Sequence, residues 1–292
     1  MHTITEPTRD TPIIDEVDLC VLGGSCTGVF AAVRAARLGM RVAIVEKQNC
    51  FGGVATCGLV NVWHSLWDTE KQQQIISGLT EEVIDRLGRR DAVTTFPDDR
   101  GHYRLNTFEL MIELDELVTE AGVRPHLHTL YVAPQMSDGR LNAIMVENKS
   151  GRGAIRAGVF IDATGDGDLC AHLGLPQYVS DNPQPPTTCA NIYRDPGIEF
   201  ALDAAIAEHG TEFGLKDDWG WRGPVPGLEG HVMHADHHVF RENLLSADGL
   251  TAAEIEGRRK CRAVMDIIRT YGPEGSRPVL TALASLIGIR QT

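Results

Sequence analysis

Three stretches of this chain carry residue types that could do chemistry. The first is the turn Gly23-Gly24-Ser25-Cys26-Thr27-Gly28, with Glu46 lying 18 positions beyond Gly28. Glycines let a backbone turn sharply and approach a pyrophosphate, and a helix starting at such a turn aims unpaired N–H groups and a positive dipole end at the anion. A carboxylate at that later position can accept hydrogen bonds from a ribose diol. The second stretch, residues 230–238, holds His231, His234, His237 and His238 around Asp236, four of the chain's 11 histidines. Histidine titrates near neutrality, which suits general acid/base work, and Asp236 can orient one ring. A polar loop, a strand cap and incidental metal binding are the plainer readings of that cluster. The third is His64, in Asn61-Val62-Trp63-His64-Ser65, for which a half-buried loop histidine is the plainer reading. The catalytic candidates are therefore His64, His234 and His237. Arg222, Arg241 and Arg258 could clamp a carboxylate or a hydroxyl-rich group, or serve as ordinary surface arginines.

These residues need elements to position them. Val17, Leu19, Val21 and Leu22 predict a short strand running into the glycine turn. Ala31, Ala32, Ala35 and Ala36 predict a helix that packs closely on a sheet and stops at Gly39, and residues 41–45 predict a second strand with Glu46 at its tip. Strand, turn, small-residue helix, strand and terminal acid together point to dinucleotide binding, with a purely structural α/β turn as the alternative. The third glycine of the usual pattern is replaced by Ser25, whose Cβ narrows the phosphate approach.

Further along, apolar spacing predicts helices over 72–87 and 107–121. Asn106 caps the second, Glu109 completes a capping box, and Gly122 ends it. Strands follow near 123–132, 141–147 and 154–161, joined by turns at Asp138-Gly139 and Ser150-Gly151, as a β-meander. From about Pro176 prolines cluster and periodicity fades. Glu254 and Glu256 read as first-turn helix acids behind a Thr251 N-cap. Residues 278–289 read as a final strand.

Composition narrows the classes. In 292 residues, 42% are hydrophobic, enough for a sizeable core. The 27 basic and 40 acidic residues leave a net charge of −13, which argues against nucleic acid or an anionic membrane surface as partner. No apolar run reaches the length of a membrane span, and the acidic N-terminus lacks a signal-peptide core, so the cytoplasm is the expected location. Seven cysteines without regular spacing suit reduced thiols, and no ligand set predicts a metal. Cys57 reads as a small buried residue. Its nearest companion, Cys50, lies across Gly52-Gly53, not at the spacing of a disulfide-reductase pair.

The stretch EKxxxxGGxATxGLVN, from Glu46 to Asn61, resembles the FAD-dependent oxidoreductases among the two-dinucleotide-binding-domain flavoproteins, related to fumarate-reductase flavoproteins. Ala163-Thr164-Gly165-Asp166-Gly167-Asp168 is similar to that family's ATGDGD segment, and residues 252–259 resemble a third block. The resemblance implies FAD rather than NAD(P). It implies FAD contacts from Gly23, Gly24, Ser25, Cys26, Thr27, Gly28, Glu46, Lys47, Gly52, Gly53, Ala55, Thr56, Ala163, Thr164, Gly165 and Asp166. In the family the chain continues beyond the equivalent of Arg290. The resemblance therefore implies a missing C-terminal portion, through a shortened chain or a second polypeptide that completes the FAD domain.

The expected architecture is α/β: a Rossmann-like FAD-binding domain with a parallel sheet and a β-meander insertion, and a second, substrate-facing domain. The expected boundaries are a flexible segment at 1–16, the FAD-binding domain at 17–175, a substrate domain at 176–278, and a truncated return to the FAD domain at 279–292. The expected function is hydride transfer between a C–H bond of a small organic substrate and flavin. The alternative is a non-catalytic or partner-dependent flavin-fold subunit. A homo-oligomer is open in either case.

Overall fold

The computed structural model describes residues 2–96, 101–178, 184–216, 218, 220–240, 244 and 246–289. In chain order the elements begin with β1 (Ile13–Leu22), α1 (Cys26–Arg37), β2 (Val42–Val45), β3 (Val62–Trp63), α2 (Leu79–Gly88), β4 (Val93–Thr95) and β5 (Tyr103–Leu105). Then come α3 (Thr107–Glu120), β6 (Arg124–His126), β7 (Leu130–Ser137), β8 (Arg140–Asn148), β9 (Gly151–Asp162) and α4 (Asp168–His172). The last are β10 (Ala190–Tyr193), α5 (Leu202–His209), β11 (Trp221–Pro224), β12 (His231–Ala235), α6 (Ala247–Tyr271) and β13 (Val279–Leu283). They form two compact units: Met1–Asn49 with Leu117–Gln177, and Cys50–Glu116 with Tyr178–Thr292.

The first unit is built on a six-stranded sheet in the order β6-β2-β1-β9-β8-β7. β6, β2, β1 and β9 are mutually parallel, and β8 and β7 extend the sheet antiparallel as the expected meander. Val17, Cys20, Leu22, Ala43, Val45, Ile144 and Ile155 make its buried core, the continuous apolar pattern of strands covered on both faces. The chain leaves β1 toward β2 on one side and returns through β9 on the other. That reversal of direction is where open α/β sheets bind ligands, outside the carboxyl ends of the strands.

β1 starts at Ile13, inside the stretch expected to be flexible. Asp15 is buried there and pairs with Arg124 and with His126 Nε2 (3.0 Å), both on β6. Its partners lie more than a hundred residues away, which is why the acidic start read as solvent-facing.

The second unit contains a four-stranded sheet, β11-β12-β10-β13, and a three-stranded sheet, β3-β5-β4. On one face of the larger sheet Ala190 and Ile192 pack against Met265 of α6. On the other, Met233 and Ala235 pack with Leu59, Val225 and Ala284. The final strand pairs with β10 in this sheet. Three local expectations shift. α2 begins only at Leu79, because Gly78 at φ 77 starts the helix with its N–H capped by Glu81 Oε2 (3.0 Å), while Ile75 and Ile76 donate to Leu66 O. α6 begins one turn early, with Ser246 Oγ accepting from Gly249 N and Thr251 inside the helix. α3 ends at Glu120, with Asn106 Oδ1 accepting from Phe108 N and Glu109 N as expected.

Candidate functional site

In the first unit, chain packing dictates the glycine turn. Gly23 has φ 93, and a Cβ there would lie 2.3 Å from Ala163 O. A Cβ at Gly28 would lie 2.0 Å from Gly23 O. The first and sixth positions of the motif therefore need glycine on account of the chain's own backbone. Ser25, the third position, is the N-cap of α1. Its Oγ accepts from Gly28 N (3.3 Å) and donates to Ala163 O (3.4 Å), so the hydroxyl is spent inside the turn. Cys26 and Thr27 open the helix, and burial pushes the Cys26 thiol up to about 12.

Glu46 ends up buried at the tip of β2. Its Oε2 accepts from Gly24 N (2.6 Å) and its Oε1 from Gln48 N (2.8 Å), tying the tip of β2 to the turn after β1. Lys47 Nζ stands 3.4 Å from Asp166 Oδ2. Ala163 and Thr164 lie against Gly23, and Gly165, with φ 81, leads to Asp166. Asp162 organises this segment by accepting from Thr164 N and Oγ1 and from Leu169 N and Cys170 N. Burial raises its pKa, but those hydrogen bonds outweigh burial and hold the carboxyl below the usual range. Asp168 goes the other way, raised by burial and by neighbouring Asp166. A cleft at these strand ends is lined by Gly23, Glu46, Lys47, Tyr131, Thr164 and Asp168. It brings the Gly23 backbone, the Glu46 and Asp168 carboxylates and Lys47 to one opening.

The second unit holds the other candidates. Gly52 (φ 107) and Gly53 (φ 56) begin a tight turn. Thr56 Oγ1 donates to Phe51 O (2.6 Å), and Ala55 N and Thr56 N donate to Gly52 O and Gly53 O. His64 is exposed and sits edge-on to His102, with ring centroids 4.8 Å apart. His102 Nδ1 accepts from Ser65 N (3.0 Å), which leaves its proton on Nε2 in the neutral ring. Strand alternation puts Val62, Thr94 and Arg104 on one face of the β3-β5-β4 sheet, with His64, His102 and Phe96 continuing it. The Arg104 guanidinium lies 4.0 Å over the Phe96 ring, and its Nε would be 2.6 Å from a Cβ on Gly223. No carboxylate of the described residues pairs with it. Sequence reasoning missed His102 and Arg104, although the alternation in His102-Tyr103-Arg104 was a usable signal.

His234 and His237 lie elsewhere. His234 pairs with Ala190 across β12 and β10, so it faces α6, on the opposite side of the sheet from Met233 and Gly223. Its Nδ1 donates to Asp236 Oδ2 (2.8 Å), and Arg222 grips Asp236 Oδ1 through Nε (2.8 Å) and Nη2 (2.6 Å). Burial works against the Asp236 charge, but His234 and Arg222 more than offset it and keep the carboxyl below its ordinary range. His237 is buried and its pKa is lowered by that burial. Both rings line a small cavity with Thr188, Lys260 and Cys261. His231 is half-buried beside Tyr193, and His238 Nδ1 meets Asp218 at 3.2 Å. Arg222 is thus committed to Asp236 and Asp203, Arg258 pairs with Glu254, and Arg241 lies outside the described residues. Among the described residues no cluster of three ligating side chains could hold a metal, and no helix is long and apolar enough to cross a membrane.

A family model described as FAD dependent oxidoreductase matches residues 18–292. The mitochondrial dihydrolipoyl dehydrogenase of Schizosaccharomyces pombe is 31% identical over 87 residues, which is 26% of this chain but only 17% of that protein. Two solved structures share the fold at a TM-score of 0.56. One, a geranylgeranyl bacteriochlorophyll reductase-like protein from Thermoplasma acidophilum, is 14% identical over 94% of this chain and 66% of its own. The other, p-nitrophenol 4-monooxygenase from Pseudomonas putida, is 13% identical over 92% and 67%. At such identities these likenesses show the fold alone.

Proposed function

The chain belongs to the FAD dependent oxidoreductase family, and from that premise we propose that it moves a hydride between a C–H bond of a small organic substrate and FAD. The observation that carries this reading is the cleft at the carboxyl ends of β1, β2 and β9, lined by Gly23, Glu46, Lys47 and Thr164, with the chain passing from Gly23 through the glycine turn into α1. FAD, when bound, supplies the two-electron chemistry. The chain's own residues do the rest. The α1 N-terminus and the turn receive the pyrophosphate, with Cys26 and Thr27 in the first helical turn. Glu46 takes the ribose hydroxyls, its carboxylate already buried and held at the turn. Lys47 and Thr164 line the same approach, and Ala163, Gly165 and Asp166 shape the backbone beside it.

We assign proton transfer to His64, which is exposed, and whose neighbour His102 is held in one tautomer by Ser65. Arg104, stacked on Phe96 and without a carboxylate partner among the described residues, orients an electron-rich group of the substrate. His234 and His237 face α6 on the far side of the β11-β12-β10-β13 sheet from Gly223 and act as a separate buried pair.

An absorption spectrum of the purified chain, followed by acid release of the chromophore, tests the cofactor site. The flavin bands with FAD in stoichiometric amount are expected. A colourless chain that also fails to take up added FAD would sink the proposal.

A further inference from the structure

We propose that Cys50 and Cys57 form a redox-active pair, a dithiol that a hydroperoxide converts to an intramolecular disulfide. Their sulfurs lie 3.1 Å apart, one short movement from the roughly 2.05 Å of a disulfide bond. Both side chains are buried.

The chain is built to hold them there. Between the two cysteines the backbone reverses through Gly52 and Gly53, both at positive φ, where a Cβ on Gly52 would lie 2.4 Å from Thr56 Cγ2. Thr56 Oγ1 locks the reversal onto Phe51 O (2.6 Å), and Phe51 is itself fully buried. From 228 residues away in sequence, Ser285 fixes the other end, donating to Cys57 O through its N–H (2.9 Å) and its hydroxyl (3.2 Å). The contact therefore belongs to the packed turn. Sequence spacing hid it, because seven positions with a double glycine between them look like separation when they in fact fold back on themselves.

The contact with Cys57, together with burial, holds the Cys50 proton well above the ordinary thiol range, and we accordingly give the attack to Cys57. The Cys57 thiolate attacks a peroxide oxygen, the O–O bond breaks, and the departing alkoxide takes up a proton as an alcohol. The Cys50 sulfur then attacks the Cys57 sulfenic acid. An S–S bond forms, the S–O bond breaks, and water leaves with the Cys50 proton. Two thiols have lost two electrons and two protons, and one hydroperoxide has become one alcohol and one water. Burial limits access to small oxidants.

The test is a thiol count and a peptide map of the full chain before and after hydrogen peroxide. The count is expected to fall by two from seven, with residues 50 and 57 cross-linked, the chain lighter by two hydrogens, and all of this reversed by dithiothreitol. In Cys50→Ser the reaction stalls at a Cys57 sulfenic acid that dimedone traps. Cys57→Ser leaves Cys50 as a thiol. Two intact thiols at these positions after peroxide, or sulfinic acid without a cross-link, would overturn the proposal, and the wild-type map decides this even where a variant does not fold. The same map is expected with or without bound FAD, so a failure of the cofactor reading leaves this one standing.

Discussion

The glycine turn of the first unit and the histidine-bearing sheets of the second put their functional groups in place by opposite means. In the turn, the groups are adjacent in sequence and most are backbone. Gly23, Ser25 and Gly28 are fixed by each other and by Ala163, and Glu46 is delivered by the next strand. In the second unit, His64 comes from the end of β3 and His102 and Arg104 from β5 beside it, and His234 is oriented by Asp236, itself gripped by Arg222 from a neighbouring strand. A site made of backbone fails when a single Cβ is added. A site made of side chains fails when one charge is removed.

The sharpest break of this comparison is expected from Gly28→Val. Its side chain has no space against Gly23 O, so soluble, flavin-containing protein should be lost, visible as colourless aggregate on purification. Next comes Asp236→Ala, which leaves Arg222 and His234 in a buried site without their carboxylate. Urea denaturation should show a loss of about 3–5 kcal/mol, with flavin content per folded chain unchanged. Third, His64→Gln should slow flavin reduction by an accepted substrate by about 100-fold, while His234→Gln changes that rate only a few-fold. Equal effects of the two would erase the distinction between the sheet faces.

The smallest effect concerns pH. Burial depresses the folded-state pKa of His237, so below the ordinary histidine value the unfolded chain binds the extra proton. Stability therefore rises with pH up to that value and falls as pH drops from 7 toward 5. His237→Gln should flatten this part of the pH–stability curve. Asp236 acts in a lower window. Its carboxyl is depressed, so its contribution is present above the ordinary carboxylate value and lost only as pH falls through the folded value.

How much was legible can be judged residue by residue. The strand-turn-helix-strand unit from Val17 to Glu46 was readable because each part depends on near neighbours: apolar alternation, small residues and a terminal acid. Asn106 as a cap and Asp138-Gly139 as a hairpin turn were readable for the same reason. The early start of β1 was hidden because Asp15 finds Arg124 and His126 on β6. The helix expected from residue 72 failed because Gly78 and the Leu66 carbonyl outweigh the periodicity of Ile75 and Ile76.

The sequence alone determined that this chain makes an α/β sheet with parallel strands and a glycine turn at their ends, since both follow from hydrogen bonds and steric limits over a few dozen residues. Only the tertiary structure decided which candidates share a face. His64 joins His102 and Arg104, His234 turns toward α6, and Cys50 meets Cys57. The pairing of strands sets the two histidine faces, and a one-residue change of register reverses both, whereas the turn through Gly52 and Gly53 sets the cysteine contact.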